Sequence, residues 1–372
     1  MSELARWAEV DELQRGIAIQ AGEVLPTGVY KSRPEDFEVI EQLGFVPEQN
    51  PKGQQHWLRI KKVGVNTEDL AKQLSKALRI HPRDLGYSGL KDKHAVTEQW
   101  MSVQLPALDN PDWSVWWTQN MTSERLRGGS AELLEVVRSS KKLRRGTHKA
   151  NLFRLCVRDI SNPETLQRRL EALAHVGSVP NYFGPQRFGR RGDNVTQALA
   201  MARGDHHVRD RNLRSILLSS IRSWLFNTYV HRRLTEGFPA ITAGDVVILS
   251  GSQSYFTIET LDDVIRARHQ TGDILVSGPL YGDGESPAQG AVKAFEDRVA
   301  ADYPELVHVL RDARMKAERR ALALSLSELR WDWLEEQTLQ LSFALPAGSF
   351  ATSVLTELGD FQEASHANIA QQ

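Results

Sequence analysis

The chain has 372 residues, a mass of 41.9 kDa, 41% hydrophobic and 25% charged residues, and one cysteine. The length fits two domains or one domain with a large insertion, and the composition excludes a short peptide binder and a wholly disordered chain. Because Cys156 is alone, an intramolecular disulfide and a cysteine-based zinc cage are excluded. The N-terminal residues lack the pattern of a secretion signal, and no run of 18 residues is apolar and uncharged. We therefore expect a soluble cytoplasmic protein without a membrane span.

The formal net charge is only -1, but the charges are unevenly distributed along the chain. Between Arg138 and Arg233 there are 20 Lys and Arg against 6 Asp and Glu. The densest part of this segment carries four closely spaced cations, Lys141, Lys142, Arg144 and Arg145. Cations that neutralise phosphates release counterions, so the segment favours nucleic-acid binding. The alternative is a solvated surface balanced by acidic parts of the same chain.

The first predicted elements are a strand and a helix. Leu58 and Ile60 alternate with polar residues, which predicts a strand with one exposed face. A helix is predicted next, because Asn66 can cap its start and leucines recur at every fourth position from Leu70 to Leu78.

The next segment is predicted to be a loop that enters a strand. Residues 86–95 combine glycines and charges without periodicity, and alternation resumes at residues 101–105. We therefore expect Asp92 on a loop held by a sheet, where a side chain can serve chemistry rather than packing.

The following segments alternate between irregular and regular patterns. Residues 106–130, rich in Trp, Asn, Ser and Gly, predict an irregular surface connection. Apolar patterns at residues 133–137 and 151–157 predict two strands. Residues 161–164 predict a helix start, with an apolar face formed by Leu166, Leu170, Leu173 and Val176.

The character of the sequence changes near residue 181, which indicates a domain boundary. Basic loops with several glycines precede a long helix predicted over residues 213–234. An acidic, turn-rich region follows, and residues 293–324 predict one or two helices broken near Pro304. Strand alternation returns at residues 339–345.

Common catalytic signatures are absent from the sequence, including a phosphate-binding loop, a dinucleotide fingerprint, a zinc-protease motif and an esterase motif. Residues 205–210 contain two His and two Asp and could be read as a metal site of a nuclease, although arginines flank them. In the triplet Lys91-Asp92-Lys93, a carboxylate between two ammonium groups is expected to stay ionised and to act as a nucleophile or base. An ordinary solvated turn is the alternative for this triplet.

Six motifs follow one another along most of the chain: residues 33–37 (RPEDF), 89–95 (GLKDKHA), 97–100 (TEQW), 149–153 (KANLF), 181–189 (NYFGPQRFG) and 345–354 (LPAGSFATSV). In this order they resemble the TruD family of tRNA pseudouridine synthases. The resemblance implies isomerisation of uridine to pseudouridine at position 13 in the D arm of tRNA, without a cofactor or metal. Asp92 matches the family's catalytic aspartate. It would help to break the glycosidic bond by attacking the sugar, by attacking the base, or by removing a 2′ proton.

The resemblance also implies a set of substrate-binding residues. Phe37, Asn151, Phe153 and Phe350 match positions that line the uridine pocket, where rings can stack on uracil and an amide can bind its edge. Lys31 matches a basic residue near the aspartate. Arg187, together with the cations of residues 141–145, is expected to contact RNA.

The implied fold class is α+β. A pseudouridine synthase catalytic domain, with a mixed and mainly antiparallel sheet and flanking helices, would comprise residues 1–176 and 326–372. An inserted α/β domain specific to the family would comprise residues 177–325. We expect a monomer that binds tRNA and needs no obligatory protein partner. A non-catalytic tRNA-binding or folding module is the alternative function.

Overall fold

A computed structural model describes residues 15–106, 110–189, 192–252 and 254–364. Its strands, in chain order, are β1 (Thr27–Tyr30), β2 (Phe37–Gln42), β3 (Gln55–Val63), β4 (Leu85–Tyr87), β5 (Val96–Gln104), β6 (Ser130–Ser139), β7 (Ala150–Arg158), β8 (Ser178–Pro180), β9 (Val246–Leu249), β10 (Tyr255–Thr257), β11 (Ile274–Leu280), β12 (Glu318–Ala321), β13 (Ala323–Ser325), β14 (Ser327–Glu335), β15 (Thr338–Pro346) and β16 (Asp360–Glu363). Its helices are α1 (Thr67–Leu78), α2 (Trp113–Asn120), α3 (Pro163–Val176), α4 (Asp193–Arg203), α5 (Arg211–Thr235), α6 (Asp263–Gln270), α7 (Gly290–Asp302), α8 (Pro304–Asp312) and α9 (Thr352–Leu358).

The chain divides into two compact units. Of the described residues, the sheet unit comprises those within Val24–Arg168 and Leu326–Ala351 and residues 359–364. The helical unit comprises residues 15–23, those within Arg169–Ser325, and Thr352–Leu358. The division into a catalytic domain of residues 1–176 and 326–372 and an inserted domain of residues 177–325 stays a prediction.

The described part of the sheet unit is built on one large mixed sheet with the strand order β14-β15-β7-β2-β5-β3-β6. Most neighbours are antiparallel, whereas β2 runs parallel to β5. At the side of this path, β1 pairs with β7 and runs parallel to β16, and β4 pairs with β5. The predicted α+β class, with a mixed and mainly antiparallel sheet, is confirmed.

Strand β3 and helix α1 form as their patterns predict. Leu58 and Ile60 are fully buried and pack in one cluster with Leu70 and Leu74 of α1. The side chain of Asn66 caps the helix by accepting a hydrogen bond of 2.8 Å from the backbone N–H of Asp69. These contacts fix α1 against one face of the sheet, next to the loop that carries Asp92.

The prediction of an irregular connection over residues 106–130 is wrong in part, because α2 lies within it. Asp112 caps this helix, and Trp113 and Trp117, one turn apart, are buried in the same core cluster. Their indole N–H groups donate to Nδ1 of His56 and to the carbonyl of Ala131. The local pattern for a helix is weak here, and the tertiary packing of the two indoles stabilises α2 instead. Residues 107–109 of the connection lie outside the described residues.

The helical unit is organised around α5, which is buried over most of its length. Residues of α4, α5 and α8 form one apolar cluster, and β9, β10, β11 and β12 form a separate antiparallel sheet. The predicted long helix over residues 213–234 is confirmed, and the turn-rich region after it contains strands β9 and β11.

Three expectations for this region are wrong. Helix α4 replaces part of the predicted basic loops. The one or two helices predicted over residues 293–324 form as α7 and α8 and are broken near Pro304 as expected, but they end at Asp312. β12 and β13 follow because residues 318–321 pair with β11 and residues 323–325 with β8. Val176, expected on the apolar face of α3, is 53% exposed, since it lies in the last turn before Gly177.

No helix in the described ranges is both long and apolar enough to cross a membrane.

Candidate active site

Asp92 lies on the loop between β4 and β5, as the sequence predicts. Its carboxylate is partly open to solvent, with 39% of the side chain exposed. Oδ1 accepts a hydrogen bond of 3.0 Å from the backbone N–H of His94, and Oδ2 accepts one of 2.6 Å from Nζ of Lys31. The carboxylate is therefore oriented from two sides and is still accessible to a ligand.

Lys31 directly follows β1 and has a left-handed backbone conformation, with φ of 58°. Its side chain is only 10% exposed, and its Nζ also lies 3.1 Å from Oε1 of Glu363 on β16. The same nitrogen lies 4.4 Å from the ring centroid of Phe37. One ammonium group thus joins two carboxylates and an aromatic face.

The pKa of Asp92 is lowered from its ordinary value. Burial by itself would raise this pKa, but the hydrogen bonds from Lys31 and from the backbone of His94, together with the charge of Lys31, outweigh it. The expectation that the flanking lysines keep Asp92 ionised is wrong for Lys91, because that side chain turns away to other partners. Adjacent loop residues need not point to the same side, and a lysine 61 positions away supplies the charge.

The aromatic residues predicted for the pocket fall into two groups. Phe37 and Phe153 lie on one face of the sheet, are buried, and meet edge to face with centroids 6.2 Å apart. Phe153 also stacks on Phe343, at 5.5 Å. Phe350 follows the turn after β15 and is 48% exposed. Phe37 and Phe153 are therefore core residues, and Phe37 also lies beside Lys31, whereas Phe350 can contact a ligand without rearrangement.

Asn151 is held by a buried ionic network. Nζ of Lys91 donates to Oδ1 of Asn151 at 2.7 Å and lies 3.1 Å from Oε2 of Glu41. Oε1 of Glu41 accepts from the hydroxyl of Ser88 at 2.8 Å. Because an ammonium group can only donate, the amide oxygen of Asn151 must face Lys91. The contact with Lys91 therefore fixes the orientation of the Asn151 amide, the polar group that is predicted to bind the edge of the base.

Sequence reasoning missed three residues of this region, namely Glu41, Lys62 and Glu363. Lys62 is the most informative, because it lies fully buried on β3 and its Nζ donates to the backbone carbonyl of Asp92 at 2.9 Å. A signal was available, since two consecutive lysines interrupt the alternation of β3 and one of them must point inward.

The basic segment of residues 141–145 forms an exposed connection between β6 and β7. Leu143 anchors it, because this side chain is buried and its N–H donates to Oγ of Ser102 at 3.0 Å. The four cations around it, Lys141, Lys142, Arg144 and Arg145, are exposed. The side chain of Lys142 donates to the carbonyl of Arg83, and the guanidinium of Arg145 lies 5.7 Å from the ring centroid of Tyr87.

Arg187 belongs to the helical unit, in the short 3₁₀ segment Pro185–Phe188. It is exposed, and its guanidinium lies 5.5 Å from the ring centroid of Phe183 and donates to Oγ of Ser219 at 3.3 Å. Its predicted contact with RNA, like that of the basic segment, stays a prediction.

The interpretation of residues 205–210 as a metal site finds no support in the described part of the chain. There, no group of three or more His, Cys, Asp or Glu side chains is arranged to hold a metal ion. Asp210 caps α5 instead, by accepting from the N–H groups of Asn212 and Leu213.

Known proteins resemble this chain along most of its length. The family profile described as tRNA pseudouridine synthase D (TruD) matches residues 26–209 and 200–358. The tRNA pseudouridine synthase D of Proteus mirabilis (strain HI4320) is 41% identical over 339 residues, covering 91% of this chain and 93% of that protein. That of Pseudoalteromonas atlantica (strain T6c) is 39% identical over 338 residues, covering 89% and 92%.

A solved structure shares the fold. The crystal structure of a Methanosarcina mazei protein, described as a tRNA pseudouridine synthase D (TruD), has a TM-score of 0.69 and 21% identity, covering 92% of this chain and 96% of that one. The α+β fold and the sequence matches together define the class of the protein as a pseudouridine synthase, an isomerase. Within that class, the chain belongs to the TruD family, the tRNA pseudouridine synthases D.

Proposed function

We propose that this protein isomerises uridine at position 13 in the D arm of tRNA to pseudouridine, with Asp92 as the catalytic residue and without a cofactor or metal. The observation that carries the proposal is the ion pair of Asp92 with Lys31, whose ammonium also lies against the ring of Phe37. This arrangement combines an ionised carboxylate, which detaching a uracil requires, with an aromatic surface, which retaining the uracil requires.

Asp92 assists cleavage of the bond between C1′ of the ribose and N1 of uracil. It does so by attacking the sugar, by attacking the base, or by removing a 2′ proton to give a glycal. Each route needs the carboxylate in its charged form, and the lowered pKa of Asp92 supplies that form at neutral pH. The freed uracil then rotates, and C5 bonds to C1′ of the ribose. The proton on C5 is lost and N1 gains one, so the net reaction is an isomerisation.

The substrate base is held by the rings of Phe37, Phe153 and Phe350 and by the amide of Asn151. Because the oxygen of that amide faces Lys91, its NH₂ group remains to donate to a uracil carbonyl. Phe350, as the exposed ring, is the one that stacks on the base as it leaves the RNA helix.

The tRNA backbone is bound by the exposed cations at residues 141–145 and by Arg187. The protein acts in the cytoplasm as a monomer, without an obligatory protein partner. Its catalytic domain comprises residues 1–176 and 326–372, and its inserted domain comprises residues 177–325.

The test is the variant Asp92→Asn, assayed on an unmodified tRNA transcript by mass spectrometry after pseudouridine-specific derivatisation. We expect no pseudouridine at position 13, and we expect tRNA affinity within about twofold of the wild type. Asp84→Asn, which changes a half-exposed carboxylate in the preceding 3₁₀ turn, is the matched control and should retain activity. Product at position 13 with Asp92→Asn would refute the role of Asp92.

The alternative of a non-catalytic tRNA-binding or folding module conflicts with the family matches, which define the chain as an isomerase. The exposed basic segment does not favour it, because an enzyme that acts on tRNA needs such cations as well. Mapping of the product along the transcript also tests the position, since pseudouridine elsewhere than at position 13 would contradict the proposed site.

A further inference from the structure

A lysine is buried beneath the loop that carries Asp92. Lys62 lies on β3, on the same face as Leu58 and Ile60, where the strand pattern would place an apolar side chain. Its Nζ donates to the carbonyl oxygens of Val65, at 2.8 Å, and of Asp92, at 2.9 Å. We propose that Lys62 is a positioning residue, whose ammonium group holds the main chain of Asp92 so that the carboxylate stays directed at Lys31 and the substrate. The inference rests on the proposed function.

Burial of an ammonium group is costly unless hydrogen bonds compensate it. Lys62 is fully buried, and both of its acceptors are backbone carbonyls. A methionine of similar length would fill the space without that cost. The charge therefore serves the two carbonyls that a methionine could not bind, and one of them belongs to the catalytic residue.

The catalytic loop is bound at three consecutive residues by one short segment, residues 62–67. The N–H of Lys91 donates to Oγ1 of Thr67 at 2.9 Å, the carbonyl of Asp92 accepts from Lys62, and the carbonyl of Lys93 accepts from the N–H of Gly64 at 3.1 Å. The bond from Lys62 is the charge-assisted one of the three, and such bonds are about twice as strong as neutral ones. Loss of its charge would loosen the loop at Asp92 itself.

The charge of Lys62 depends on pH in the range where enzymes are assayed. Burial lowers the pKa of Lys62 to about 8, the carboxylate of Asp92 raises it in part, and the nearby charge of Lys91 lowers it further. The residues paired with Lys62 on the neighbouring strands, Thr97 on β5 and Ala131 on β6, are uncharged. The hydrogen bond from Lys62 to the carbonyl of Asp92 therefore weakens as the pH rises through about 8.

The experiment compares the full-length wild type with Lys62→Met and Lys62→Arg under single-turnover conditions at saturating tRNA, from pH 6.5 to 9.5. For the wild type we expect the rate to fall as the pH rises through about 8. For Lys62→Met we expect a rate at pH 7 that is lower than that of the wild type by about 10- to 100-fold, and a tRNA affinity within about twofold of the wild type. The rate of this variant should not fall near pH 8. Lys62→Arg keeps its charge and should show no fall below pH 9.5.

Lys61→Met is the matched control, because Lys61 is the next residue, is partly exposed and points to the opposite face. It should keep both the rate and the pH profile of the wild type. A wild-type rate that is flat from pH 7 to 9.5, or a Lys62→Met rate and profile equal to those of the wild type, would overturn the inference. If Lys62→Met does not fold, as judged by circular dichroism, the wild-type and Lys62→Arg profiles decide alone, and a fall near pH 8 in Lys62→Arg refutes the assignment.

The result can be separated from a failure of the proposed function. Activity in Asp92→Asn would show that the proposed catalytic role is wrong. An inactive Asp92→Asn together with a wild-type profile in Lys62→Met would show that only the role of Lys62 is wrong.

Discussion

Nζ of Lys31 lies 2.6 Å from Oδ2 of Asp92, although the two residues are 61 positions apart in the chain. Lys31 directly follows β1, which ends at Tyr30, and Asp92 lies on the loop before β5. Glu363, on β16 that runs parallel to β1, lies 3.1 Å from the same ammonium group. The carboxylate of Asp92 is thus stabilised in its charged form by a contact between distant segments.

The first prediction concerns this ion pair. In Lys31→Met, Asp92 loses the hydrogen bond and the charge of Lys31, both of which lower its pKa, so its pKa rises and the carboxylate becomes protonated at a higher pH than in the wild type. The acid limb of the single-turnover rate should therefore move to higher pH, and the rate at pH 7 should fall by about 10- to 100-fold. Lys31→Arg keeps the charge and should keep the acid limb near its wild-type position. An unchanged acid limb in Lys31→Met would contradict the role of the ion pair.

The second prediction separates core rings from a substrate-binding ring. Phe343 is fully buried against Phe153, so Phe343→Ala should lower the free energy of unfolding by about 3–5 kcal/mol. Phe350 is half exposed, so Phe350→Ala should change the free energy of unfolding by no more than about 0.5 kcal/mol. Lost stacking on the base should nevertheless cost Phe350→Ala about 10- to 100-fold in kcat/KM. Urea denaturation and steady-state kinetics measure the two effects, and wild-type kcat/KM in Phe350→Ala would remove that residue from the pocket.

The third prediction concerns the basic segment. Lys141, Lys142, Arg144 and Arg145 changed together to Ala should weaken tRNA binding and reduce the slope of log K against log salt by about 3, if each neutralises one phosphate. The variant should fold normally, because Leu143 keeps the segment anchored in the core. Filter binding from 50 to 300 mM salt measures the slope. Lys72→Ala, an exposed lysine on α1, is the control, and an unchanged slope in the fourfold variant would exclude the segment from the interface.

The fourth prediction concerns the stability contribution of Lys62. Its pKa is about 8 in the folded protein and near the ordinary value of 10.5 in the unfolded chain. Between these values the unfolded state binds more protons, so the free energy of unfolding of the wild type, relative to that of Lys62→Met, should rise with pH.

The rise should begin near pH 8 and reach at most about 3 kcal/mol by pH 10.5, since one pKa unit corresponds to about 1.4 kcal/mol. Urea denaturation of both proteins at several pH values measures it. The direction is opposite to that expected for activity, which falls as Lys62 loses its proton. A difference in unfolding free energy that does not change with pH would show that Lys62 is not buried in its charged form.

The sequence by itself determined the elements with strong local signals. The alternation around Leu58 and the leucine spacing of α1 are consequences of backbone geometry, so they could be identified without the fold. The ordered motifs determined the family, and the lack of periodicity before β5 placed Asp92 on a loop. Helix α2 escaped prediction because its indoles are stabilised by His56 and Ala131, which local pattern does not reveal.

Only the tertiary structure decided which charges meet at the site. The alternation of β3 indicates that one of its two consecutive lysines points inward, but burying a lysine is costly. The role of Lys62 could therefore be recognised only once its acceptors at Val65 and Asp92 were known. In the same way, Lys91 contacts Glu41 rather than its neighbour Asp92, whose carboxylate pairs with Lys31. The family resemblance placed Lys31 near Asp92, but no local pattern did. Local patterns follow from the geometry of a single segment, whereas ion pairs depend on how distant segments pair in the sheet, and this is why the contacts of Lys62 and Lys91 emerged only with the fold.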